Sequence, residues 1–157
     1  MRAGIGYDIP SLVAGRRLVL GGVEIPFAKG LSGWSDADVL THAIIDALLG
    51  AAGLGDIGSH FPPGEAEYRG ISSLALLAEV RDMLVGKGWL EASIDATVVA
   101  EQPRLRDYID QMRERLSRTL GIPTEKVSVK ASTAAQLGPV GWGEGIAALA
   151  VAVLGGD

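Results

Sequence analysis

The chain has 157 residues, a formal charge of −5, no cysteine, and 48% hydrophobic but only 5% aromatic residues. Its length suits one domain, residues 1–157, with a core of Ala, Val and Leu. The acidic balance without a basic run excludes a nucleic-acid partner, the missing cysteines exclude disulfides and thiolate metal sites, and the lack of a long apolar run excludes a membrane span, so the reading is a cytoplasmic protein.

In chain order, Arg2 to Asp8 reads as a strand ending in an acid, and Pro10 makes Ile9-Pro10-Ser11 a loop. Arg17 to Leu20 and Val23 to Pro26 read as a β-hairpin turning on Gly21-Gly22. Phe27 to Trp34 reads as a Gly-rich loop. Ser35 is the expected N-cap of a long helix, with Asp38 in its first turn. Val39, Leu40, Ala43, Ile44, Ala47, Leu48 and Ala51 recur at helical spacing, so one face is buried. His42 and Asp46 lie four apart on this helix and are surface neighbours. The pair reads either as a core histidine held by a carboxylate, or as a metal-ligating histidine with an acid orienting its ring.

Gly53 to Gly58 is a glycine-punctuated turn, and His60 to Glu65 continues as loop. A second helix is expected from about Ser72 to Val85, a strand over Leu90 to Glu101, and a third helix over Tyr108 to Leu120. Val127 to Ala131 reads as a strand, Ser132 to Trp142 as a polar loop, and the apolar Gly145 to Leu154 as a buried strand. This order predicts an α+β fold, a mixed β-sheet with helices packed on one face.

Seven stretches carry a further signal: Arg2–Asp8, Ser35–Val39, Thr41–Ala51, Leu54–Gly58, Gln102–Leu105, Val127–Ala131 and Gly143–Ala147. With these the chain resembles the 2-C-methyl-D-erythritol 2,4-cyclodiphosphate synthases of the non-mevalonate isoprenoid pathway, over about Arg2 to Leu154. The resemblance implies a homotrimer with active sites between subunits and a channel near the three-fold axis. It also implies zinc, plus magnesium or manganese, acting on a cytidine-diphosphate-linked substrate that loses CMP. Carried over by position, Asp8 and His42 match zinc ligands. Ala100, Pro103, Leu105, Ala131 and Thr133 match the cytidine pocket, and Asp56 and Gly58 match positions that hold the sugar-alcohol hydroxyls.

The departures from the family pattern are concentrated. Pro10 stands where the family's Asp-x-His motif has its histidine, Trp34 where a phosphate-holding histidine is usual, and Pro63 where Phe-Pro-Asp has its acid. Ala135 replaces the second-metal Glu, and Trp142 replaces an Arg credited with holding diphosphates. Catalytic zinc keeps three protein ligands, so two imply no zinc or weak zinc. The main expectation is therefore a catalytically silent or repurposed trimer with no catalytic residue set intact, a scaffold or assembly component of natural or engineered origin. One alternative is an active synthase with substitute ligands. Another is a pocket for an apolar or aromatic small molecule lined by Trp34 and Trp142.

Overall fold

The computed structural model describes residues 1–156. In chain order the strands and helices are β1 (Arg2–Asp8), β2 (Leu12–Ala14), β3 (Leu18–Leu20), β4 (Val23–Ile25), β5 (Lys29–Leu31), α1 (Val39–Ala52), α2 (Ile57–His60), α3 (Ser73–Gly86), β6 (Trp89–Val99), α4 (Ile109–Leu120), β7 (Val127–Ser132), α5 (Gly138–Gly141) and β8 (Ala147–Gly156). The main sheet has four strands in the order β1-β8-β6-β7. β8 runs antiparallel to both neighbours, whereas β6 and β7 are parallel, with α4 as their crossover. The fold is α+β on a mixed sheet.

α1 is the centre of the core. Val39, Leu40, Ala43, Ile44, Ile45, Ala47, Leu48, Leu49 and Ala51 are each fully buried, so the helix is apolar nearly all round. It ends on Gly53, whose left-handed φ of 71° lets its N–H close back on the last turn. Small residues on facing elements let β1 lie directly on it. A Cβ at Gly6 would sit 1.9 Å from the Ala43 carbonyl oxygen, and one at Gly4 would sit 2.1 Å from that of Ala47. The strand therefore descends along α1 toward its N-terminus, which delivers Asp8 to the helix's first turn.

The start of α1 differs from the sequence expectation. Its N-cap is Asp38, not Ser35. The Asp38 carboxylate is fully buried and accepts from Thr41 N at 3.0 Å, Gly21 N at 2.9 Å and Gly22 N at 2.7 Å, and from the Thr41 hydroxyl at 2.8 Å. It thereby ties the β3–β4 hairpin turn to the helix, a long-range role that local capping patterns do not reveal. Ser35 is freed to face the site. The expected Phe27–Trp34 loop holds β5, which pairs with β2 just after the Ile9–Ser11 loop; these three-residue strands are too short to show alternation.

The other sheet face carries Ile5 (71% exposed), Tyr7 (55%), Leu149 (40%) and Val151 (45%). Register aligns them, with Ile5 opposite Val151 and Tyr7 opposite Leu149. Among the described residues no helix is long and apolar enough to cross a membrane.

The strand–helix approach leaves no room for a methyl group at Gly6. Gly6→Ala is expected to destabilise the fold by roughly 3 kcal/mol, the upper end for overpacking, measured by denaturant unfolding.

Candidate active site

Two groups of residues lie at one end of the main sheet. The register runs Asp8–Ala148–Val98–Ala131 across it, so Asp8 and Ala131 sit at opposite edges of the same rung. Three strand spacings put them roughly 14 Å apart within one chain.

At the first edge, β1 and α1 bring Asp8 and His42 together. Asp8 Oδ2 is 3.4 Å from His42 Nδ1. On the ring's far side, His42 Nε2 lies 2.8 Å from Ser73 Oγ and 3.1 Å from Ser35 Oγ. The Ser73 hydroxyl donates its one proton to Asp36, so it can only accept from the ring, and Nε2 carries hydrogen. Burial of His42 pushes its pKa down. The hydrogen bond to Asp8 and the charges of Asp38, Asp8 and Asp36 outweigh that, and the net shift is upward.

The expected His42–Asp46 contact is not the one formed. Asp46 accepts from Ile57 N at 2.8 Å, holding the segment that follows α1. The four-residue spacing does make these side chains neighbours, but β1 supplies a carboxylate from outside the helix, and helical spacing alone carries no trace of it.

A cavity of about 190 Å³ opens beside this group, lined in part by Trp34, Ser35, His42, Gly58, Phe61 and Pro63. Trp34 is anchored there: its indole N–H donates to the Glu65 carbonyl at 2.9 Å, and the Arg69 guanidinium lies 5.8 Å from its ring centre. Asp56 caps α2, accepting from Ser59 N at 2.9 Å and Ser59 Oγ at 2.6 Å, and these bonds hold its carboxyl below the usual range. Trp142 is 69% exposed at the C-cap of α5 and does not line the cavity that Trp34 lines. Pro10 and Ala135 do not line this cavity either.

The donor set does not fit a catalytic zinc centre. Asp8 and His42 supply two ligating atoms, and Pro10 offers only its carbonyl, toward which Ile146 N–H points at 3.4 Å. Among the described residues no three His, Cys, Asp or Glu side chains are grouped to hold a metal ion.

At the second edge, the C-terminal ends of the parallel strands β6 and β7 frame a larger cavity, about 490 Å³. All five residues carried over as the cytidine pocket line it: Ala100, Pro103, Leu105, Ala131 and Thr133. Ala100 N donates to the Ser132 carbonyl at 2.9 Å, continuing the ladder to the cavity's rim. Glu101, Arg104 and Arg106 line it as well, a charged set that the sequence reading missed. The visible signal was the alternation Arg104-Leu105-Arg106, which buries Leu105 (3% exposed) and turns both cations outward. Neither arginine forms an ion pair among the described residues.

Comparison with known proteins bears on both edges. The profile of the YgbB family matches residues 1–155. A protein of Dehalococcoides mccartyi (strain CBDB1) named 2-C-methyl-D-erythritol 2,4-cyclodiphosphate synthase is 58% identical over 154 residues, covering 98% of each chain. One of the same name from Moorella thermoacetica is 56% identical over 98% of this chain and 94% of its own. Among solved structures, the bifunctional IspDF from Campylobacter jejuni superposes with a TM-score of 0.94 at 37% identity; 99% of this chain is matched, against 42% of that longer one. The CDP complex of IspF from Plasmodium falciparum gives 0.87 at 30% identity, covering 99% and 96%.

These relatives overturn the main functional expectation. Full-length likeness above half identity to proteins named as synthases does not support a silent or repurposed scaffold, and nothing in it points to engineering. That expectation was a count of lost motif positions. It left out polar groups which only the fold gathers: Ser35, Ser73 and Asp36 round His42, and Glu101, Arg104 and Arg106 round the larger cavity.

Proposed function

The chain belongs to the YgbB family, and from that premise we propose that it is a working 2-C-methyl-D-erythritol 2,4-cyclodiphosphate synthase that uses substitute groups at the altered positions. The observation that carries this reading is the 58% identity, end to end, with a relative of that name. The cavity assembled from Ala100, Pro103, Leu105, Ala131 and Thr133 supports it.

In this reading the cytidine of a cytidine-diphosphate-linked sugar alcohol lies in that cavity, against backbone groups at the strand ends. Arg104 and Arg106 offset diphosphate charge as planar multi-donor cations. The sugar alcohol lies against Asp56 and Gly58, with its own phosphate toward Ser35 and His42. An oxygen of that phosphate attacks the phosphorus of the diphosphate that bears the sugar alcohol. One P–O bond forms, the P–O bond to CMP breaks, and CMP leaves with the electron pair. The protein's part is to hold the two phosphoryl groups in line and to surround the developing charge with donors. No step is assigned to zinc, which we take to be absent or weakly held.

The reading also takes a second copy of the chain as a partner, in a homotrimer with cyclic symmetry. Ile5, Tyr7, Leu149 and Val151 form one apolar patch on the sheet face away from α1. Such a patch favours association, and closed symmetry buries it. Neighbouring chains would then set the nucleotide edge of one against the Asp8–His42 edge of the next.

Three outcomes are expected. With zinc and magnesium supplied, the protein releases CMP from the cytidine-diphosphate-linked substrate, and removing both Arg104 and Arg106 as alanines lowers kcat/KM by about tenfold or more; no CMP release overturns the activity. Elemental analysis finds zinc well below one per chain, and Pro10→His raises it toward one; chelator-resistant zinc in the unaltered protein would mean a third donor. Sedimentation at micromolar concentration gives the mass of three chains, and a monomer would refute the assembly.

A further inference from the structure

One wall of the smaller cavity has little holding it. Residues 62–69 cross the outside of the site between Phe61, which is buried and donates its N–H to the Ile57 carbonyl at 2.8 Å, and Gly70. This strap carries Pro63 and Tyr68 into the cavity lining. Tyr68 packs edge-on to Phe61, 5.5 Å between ring centres, whereas Pro63 to Glu67 are all exposed. The chain turns at Gly64 and Gly70, at φ of 95° and 69°, with open space where a side chain would stand. Among the described residues one hydrogen bond joins residues 62–69 to the rest of the chain. It runs from the Trp34 indole N–H to the Glu65 carbonyl, at 2.9 Å.

Trp34 itself is a fixed post. Arg16, from the turn between β2 and β3, donates to the Gly33 carbonyl at 3.1 Å and to the Ser35 carbonyl at 3.0 Å, which clamps the backbone on both sides of Trp34. The Trp34 carbonyl accepts from Gly70 N at 2.8 Å, where the strap ends. The Arg69 guanidinium lies over the indole, 5.8 Å from its centre, so the strap holds the ring by a cation as well. The indole N–H is spent on Glu65, and position 34 has no side-chain donor left for a phosphate. We propose that Trp34 is a positioning residue for the reaction, the latch that fixes residues 62–69 as a cavity wall before any ligand arrives. The proposal rests on the reading of this cavity as the seat of the sugar alcohol. A wall fixed in advance spares the substrate the entropy of ordering it.

The test is amide hydrogen exchange on the free protein, read by mass spectrometry, for the unaltered chain and for Trp34→Phe, followed by steady-state CMP release. Phenylalanine keeps an aromatic ring under Arg69 and loses the N–H. Exchange in peptides covering Glu65 to Gly70 is expected to quicken by about fivefold, the loss of one net hydrogen bond, while peptides from α1 stay unchanged. Apparent affinity follows the fraction of molecules with the wall in place. KM is therefore expected to rise by up to about the same factor, with kcat changed by less than about twofold. Unchanged exchange over Glu65 to Gly70, or equal quickening in α1, overturns the latch and leaves the synthase reading standing. Quickened exchange with an unchanged KM overturns the positioning role. Absence of CMP release from both proteins refutes the synthase reading, and the exchange comparison then decides the latch by itself.

Discussion

Gly4 and Gly6 let β1 rest on the backbone of α1 with no side chain between them, and the candidate site depends on that approach. The closest atoms are the carbonyl oxygens of Ala43 and Ala47. Two residues on from Gly6 comes Asp8, and one residue before Ala43 comes His42. Their 3.4 Å contact follows from a strand and a helix running in opposite senses at the closest separation a backbone permits. Larger residues at Gly4 or Gly6 would lift the strand and part the pair before touching any functional group.

The same economy governs the helix start. Asp38 is buried as a carboxylate because four donors from two separate elements converge on it. Burial, together with the neighbouring Asp36, still raises its pKa against the pull of those bonds. Because Asp38 does the capping, Ser35 and Asp36 need not. Ser35 turns to His42, and Asp36 turns to the N-terminus of α3, where it accepts from Ser73 N at 3.1 Å and from the Ser73 hydroxyl. The imidazole is thus held on both ring nitrogens by residues of three different segments. Its orientation is a property of the packed helices and not of α1 alone.

The altered positions look different once they are placed. Trp34 is not a free apolar surface; its N–H and its ring are both engaged by the 65–69 segment, which brings the Arg69 cation beside it. Ala135 removes a carboxylate from the loop after β7, yet Glu101 reaches that loop from the facing strand end. Losses at motif positions were legible one residue at a time. The contacts around them were not, since Glu65, Arg69 and Glu101 lie on segments remote in sequence from Trp34 and Ala135.

The sequence by itself determined the strands, the helices and their order, because apolar spacing follows the period of each element and glycine and proline mark the ends. Arg2–Asp8, the Gly21-Gly22 hairpin, the long helices and β6, β7 and β8 are all readable in that way. The five residues that line the larger cavity were marked by the family resemblance and by no spacing or periodicity. Helical spacing pairs His42 with Asp46, and tertiary structure decided that Asp8 sits on its ring instead, which residue caps α1, and that β2 pairs with β5. The reason is common to all three. Periodicity along a chain encodes which face of an element is buried, whereas a hydrogen bond between segments depends on the separation and register of their backbones, and here those are set by two glycines against one helix.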